Sequence, residues 1–98
     1  ERVLSDNVEE ISIWLKKIKI KYPSLYKNIS EMKITTHDNI TIILSEYPTK
    51  INLGRENIWT KIKILKKFEK KLFPKMLTNF SYLDMRYENQ IIAKNRKI

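Results

Sequence analysis

The spacing of apolar residues changes period three times along this chain, and the order of those periods limits the fold more than any other feature. Val8, Ile11, Leu15, Ile18 and Tyr22 recur every three or four positions with Trp14 beside the stripe, which predicts an amphipathic helix. Asp6 followed by Glu9 is a capping-box pattern with Asp in place of Ser or Thr; it places the helix start near Asp6, and Pro23 ends the helix. After a turn-like stretch, Met32 and Ile34 alternate with Lys33 and Thr35, and Ile40, Ile42 and Leu44 alternate with Thr41, Ile43 and Ser45. These are two strands of a hairpin about Asp38 and Asn39. Tyr47-Pro48-Thr49-Lys50 marks a second turn, and Ile51 and Leu53 define a short third strand that stops at Gly54, the only glycine.

From Glu56 the helical period returns. Ile58, Ile62, Leu65, Phe68 and Leu72 share one face, with Lys61, Lys63, Lys66, Lys67, Lys70 and Lys71 mostly outside it, and Pro74 closes the segment. Leu83, Met85 and Tyr87 then alternate with Tyr82, Asp84 and Arg86. Glu88-Asn89 turns the chain into a last strand, Gln90-Ile91-Ile92-Ala93-Lys94, completing a terminal hairpin. Helix, three strands, helix and two strands predict an α+β fold, an antiparallel β-sheet with two amphipathic helices packed on one face. A chain of 98 residues, 42% of them hydrophobic, builds one core and not two, so residues 1–98 form a single domain.

With no cysteine there is neither a disulfide framework nor a thiolate metal site. The longest aliphatic runs, Ile42-Ile43-Leu44 and Ile91-Ile92-Ala93, fall far short of the roughly 20 residues that span a bilayer. The chain opens on Glu1 and carries no hydrophobic leader, so we expect a piece of a longer protein with any anchor or targeting segment upstream. Twenty Lys and Arg against 11 carboxylates leave a formal charge of +9, which attracts anions without choosing among nucleic acid, anionic lipid and an acidic protein.

Catalysis finds little to work with. The single histidine, His37, lies beside Asp38 in a predicted turn, where adjacent residues rarely make an oriented acid-base pair, and the two supply at most half a metal site. Gly54 alone builds no phosphate cradle. An enzyme, a metal and a cofactor are therefore not expected. Lys16, Lys17, Lys19 and Lys21, with the lysines of the second helix, read as solvated helix faces: no recognition signature accompanies them, and Lys outnumbers Arg, the better residue for bidentate readout. A small basic nucleic-acid-binding domain is the alternative function. Trp14 and Trp59 lie at or beside the apolar stripes and are expected to pack. The terminal strand lacks proline and inward charge, so at a sheet edge it would offer unpaired amides and carbonyls to a partner strand, unless Lys94, Arg96 and Lys97 merely blunt it.

Lys50-Ile51-Asn52-Leu53-Gly54-Arg55, an amphipathic helix, and then Tyr82-Leu83-Asp84-Met85-Arg86-Tyr87 together resemble the C-terminal part of the FtsQ/DivIB cell-division proteins, over roughly Asp6 to Lys94. The resemblance implies a protein of the inner membrane with a short cytoplasmic tail, one transmembrane helix, a POTRA domain and then this domain on the extracytoplasmic side, at the division septum. It implies a non-catalytic scaffold that binds FtsB/FtsL-type partners, with no small-molecule substrate and no specific nucleic acid. The partner would add a strand to the last strand and set a carboxylate near the arginine of the Asp-x-Arg-aromatic motif. In this sequence those positions are Arg86 and Tyr87, followed by the edge Asn89, Gln90, Ile91, Ile92, Ala93 and Lys94; deleting Asn95 to Ile98, beyond that edge, is expected to leave binding largely intact. Where the family often has glycine in the final turn, this chain has Glu88-Asn89-Gln90.

Binding to DNA or RNA, if measured, is expected to be independent of base sequence. Between 50 and 200 mM salt it should weaken by about a thousandfold for six phosphate contacts. Tight, sequence-selective retention at physiological salt would count against this reading.

Overall fold

The computed structural model describes residues 2–35, 39–87 and 90–96. His37 and Asp38, and the Glu88-Asn89 turn, lie outside the described residues. The first helix, α1 (Arg2–Lys21), begins a full turn before Asp6, so the capping-box pattern sits inside the helix. Leu4, Val8 and Ile11 already continue the helical spacing, and nothing in the backbone breaks it at Asp6. Only the later part of the expected stripe reaches the core: Ile18 is fully buried and Ile11, Leu15 and Tyr22 pack against it, whereas Val8 is 66% exposed.

Pro23 ends α1 but also opens a second short helix, α2 (Pro23–Asn28), in the stretch expected to be a turn. At a first helical position the missing N–H has no partner to lose and the fixed φ suits the helix. Leu25 of α2 is buried. A 15-residue helix, α3 (Ile58–Leu72), follows the expected period, with Ile58, Ile62 and Leu65 buried and Phe68 and Leu72 packed beside them. Trp14 and Trp59 pack against the core as expected, the latter 5.7 Å from the Tyr22 ring.

The sheet holds β1 (Ile29–Thr35), β2 (Asn39–Leu44), β3 (Lys50–Gly54), β4 (Phe80–Asp84) and β5 (Ile92–Asn95), in spatial order one to five. The fold is α+β as expected, but the sheet is mixed. β3 and β4 run parallel, pairing Ile51 with Leu83 and Asn52 with Asp84, while the other neighbours are antiparallel. The cause is the intervening helix: α3 returns the chain to the starting end of β3, a crossover that a purely antiparallel reading misses. Along one face, Met32, Ile42, Ile51, Leu53, Leu83 and Met85 join Ile18, Leu25 and the α3 stripe in one buried core. Each such side chain contributes about 1.5–3 kcal/mol by leaving water.

Hydrogen bonds fix the register where apolar packing does not. Asn39 donates from Nδ2 to Asn52 Oδ1 at 3.0 Å and accepts the Gly54 amide at 2.8 Å, while buried Thr41 donates to Asn52 Oδ1. This lies beside the irregularity in the β2–β3 register at Ile40/Thr41. At the far end of the sheet, the Arg96 amide donates to the Asn79 carbonyl. Its Nε donates to Thr78, and its Nη2 reaches the carbonyls of Tyr47, Pro48 and Phe80 and the Thr49 hydroxyl. Arg96 thus ties the end of β5 to the β2–β3 turn. Asn95 is itself part of β5. The edge expected to stop at Lys94 therefore runs one residue further, and deleting Asn95 to Ile98 takes away a strand residue and this tie.

Arg96→Ala should therefore lower unfolding stability by about 2 kcal/mol, the scale of losing charged hydrogen bonds to carbonyls. Chemical denaturation would check this; an unchanged midpoint would show that the Arg96 contacts contribute nothing net.

Candidate protein-binding edge

The two motifs of the sequence meet in space because β3 and β4 are parallel neighbours. The Met85 amide donates to the Asn52 carbonyl at 2.8 Å, carrying the pairing one residue past β4. There Asp84 ends the strand: its Oδ1 accepts the Arg86 amide at 3.1 Å, an Asx turn in which a short carboxylate bonds the backbone two residues on. The Arg86 guanidinium folds back on the same carboxylate, Nε to Oδ1 at 2.9 Å and Nη2 to Oδ2 at 2.7 Å. The Asp-x-Arg spacing is what permits this, since residues two apart on an extended chain point to one side.

Gly54 makes room for the assembly. Its φ is +76°, a left-handed conformation that side chains resist, and a Cβ there would stand 3.3 Å from Lys61 Nζ and 3.6 Å from Arg86 Cγ. Lys61 in turn donates to the Leu53 carbonyl at 2.7 Å. The Leu-Gly ending of β3 and the Asp-x-Arg ending of β4 are two halves of one contact.

The Asp84 side chain is nearly buried and Arg86 is 46% exposed. The hydrogen bonds from the Arg86 guanidinium hold the Asp84 carboxyl below its ordinary pKa, overcoming the opposite effect of burial. Pairing likewise raises the pKa of Arg86. Arg86 is therefore committed through Nε and Nη2, and Nη1 has no partner among the described residues.

Of the other positions read from the sequence, Tyr87 is 51% exposed with the Arg86 guanidinium 5.8 Å from its ring, Gln90 is exposed, and Asn89 lies outside the described residues. Ile91 is half-buried against the core and precedes the strand, which runs Ile92–Asn95 and not from Gln90 to Lys94. Tyr87, Gln90 and Ile91 share a groove of about 430 Å³ with Met85 and with Thr60, Lys61 and Ile64 of α3. The sequence reading missed the α3 wall. Ile64 had carried a signal, as an apolar residue off the buried stripe.

Ile92, Ala93 and Lys94 stand exposed on β5, which lies beside β4 as one of the two edge strands, β1 being the other. The Arg96 amide and the Lys94 carbonyl both turn toward β4, the first bonding Asn79 and the second accepting Ser81 Oγ at 3.3 Å. Strand alternation then turns the amides of Ile92 and Lys94 inward and those of Ala93 and Asn95 outward. Among the described residues no group of acidic or histidine side chains is arranged to hold a metal.

The sheet thus ends in an outer strand beside an exposed tyrosine and a half-exposed arginine, an edge of the kind to which extended backbone can add. The chain belongs to the family described as FtsQ/DivIB, C-terminal related, which matches residues 1–94 and is a family of cell-division proteins. Comparison with curated protein sequences finds no match. No helix among the described residues is long and apolar enough to cross a membrane.

A carboxylate whose pKa falls on folding contributes stability above its unfolded pKa and loses that contribution as pH drops through the folded value. Asp84→Asn keeps an acceptor for the Arg86 amide but removes the charge. It should therefore be less stable than the parent at pH 7, with the gap narrowing as acid protonates Asp84 below about pH 4. Melts over that range check this; a gap constant with pH would remove the ion pair from the account.

Proposed function

We propose that the chain is a non-catalytic scaffold domain of the divisome that binds FtsB/FtsL-type proteins by strand addition to β5 during septum assembly. Its place is the extracytoplasmic side of the inner membrane, reached through an anchor and a POTRA domain upstream, with residues 1–98 acting as one domain. The observation that carries this reading is the edge position of β5, all four of whose residues are exposed, whereas the opposite edge strand, β1, packs against α1 and α2. Family membership supports the cell-division setting.

In this mechanism the outward amides of Ala93 and Asn95 donate to the partner's carbonyls, and the carbonyls of the same residues accept from it. Main-chain pairing supplies affinity, and Ile92 with Tyr87 sets which side chains fit. Arg86 contributes through Nη1, presenting one face of its guanidinium to a partner carboxylate while Asp84 holds the other. That pairing changes how Arg86 is best tested. Arg86→Glu would set a second carboxylate against Asp84 and disturb the strand end, whereas Arg86→Gln removes the charge more gently.

The alternation makes proline the discriminating probe. Ala93→Pro deletes an outward donor that β4 does not use, so the domain should melt as before while partner affinity falls about tenfold, the cost of roughly one backbone hydrogen bond. Ile92→Pro deletes an inward donor and should lower both stability and binding. The measurement is titration of an FtsB-like partner into each variant alongside a thermal melt. Undiminished binding by a normally folded Ala93→Pro variant would exclude strand addition in this register.

A further inference from the structure

A second groove, of about 910 Å³, lies on the helical side of the domain where the C-terminal half of α3 meets the α1–α2 corner. Its apolar surface comes from Tyr22, Phe73, Pro74 and Met76, and Phe73 and Met76 are 83% and 61% exposed. None of these residues belongs to the β5 edge.

The rim is basic in an ordered way. Lys63, Lys67 and Lys70 line the groove from α3 at spacings of four and three, one helical stripe about 10 Å long, and Lys75 adds a fourth cation from the following loop. No carboxylate among the described residues pairs with these four. The one acidic residue in the lining, Glu69, is taken by Lys66 at 2.6 Å.

From this we propose that the groove docks an acidic amphipathic helix of a protein partner, apolar side inward over Phe73 and Met76 and carboxylates opposite Lys63, Lys67 and Lys70. Two features favour a helix over a bilayer surface. The site is concave with half-buried Tyr22 inside it, which a flat layer of headgroups does not reach, and the lysine stripe repeats with the pitch on which a facing helix presents its own carboxylates. Charge complementarity sets the sign of the partner and the exposed aromatic its apolar anchor.

The probe is a fluorescent helical peptide with leucines at i, i+3, i+4 and i+7 and glutamates on the flanks, titrated into the 98-residue chain by anisotropy, with a lysine-flanked twin as control. Saturable binding of the glutamate peptide alone is expected. It should weaken about tenfold or more in Lys67→Glu/Lys70→Glu and in Phe73→Ser, and no more than about twofold in Lys16→Glu/Lys33→Glu, which removes equal charge elsewhere. Ala93→Pro should leave it unchanged, so this result and the β5 reading stand or fall separately. Phe73 is exposed and its replacement leaves the core intact, which keeps the test independent of folding. No saturable binding, or equal loss in both lysine pairs, would overturn the proposal. So would groove-dependent binding to phosphatidylcholine vesicles containing phosphatidylglycerol in place of the peptide.

Discussion

The parallel pairing of β3 with β4, bridged by α3, is the interaction on which the rest of the domain depends. It exists because Ile58, Ile62 and Leu65 bury the inner stripe of α3 in the same core as Ile51, Leu53 and Leu83. Once α3 lies on the sheet, β4 has to enter beside β3 in the same direction. Three consequences follow from that one placement. Gly54 comes against Arg86, Ile64 comes within reach of Ile91, and the final strand is pushed to the outside of the sheet.

Much of this was legible in the sequence wherever a local period carries the information. Ile58, Ile62 and Leu65 announce α3, and Ile40, Ile42 and Leu44 announce β2, because one face of each is buried along its whole length. The direction of β4 was less visible, since alternation says which residues share a face and nothing about which way a neighbour runs. The short helix at Pro23 has a single buried residue, too few to display a period. Least visible were Arg96 and Asn39, whose partners lie up to 49 and 15 residues away. A polar side chain that works through distant carbonyls leaves no pattern in its own neighbourhood. Of the candidate edge, Arg86 and Tyr87 were readable as a motif, but the capture of Arg86 by Asp84 depends on the turn that ends β4, and the start of the strand at Ile92 depends on Ile91 packing against the core, neither of which shows in a local period.

The lysines divide by what surrounds them. Lys17 lies 4.8 Å from the Trp59 ring centroid and 5.4 Å from that of Trp14, Lys61 bonds the Leu53 carbonyl, and Lys66 joins Glu69 beside Tyr22. Those charges belong to the packing of the helices, where the long stems cover aromatic surface and the ammonium groups stay hydrated. A net charge of +9 therefore overstates the basic surface open to a partner.

The Arg96 tie gives the outer strand a direction. Its end near Asn95 is fixed to the β2–β3 turn through several carbonyls, and its other end is held, among the described residues, by β4 and by Ile91 packing. A strand added as proposed would find the ordered end of its template at Asn95 and extend toward Ile92, so pairing would begin and grow at different residues. Contacts at the fixed end would then bear on how fast pairing begins, and contacts toward Ile92 on how long it lasts.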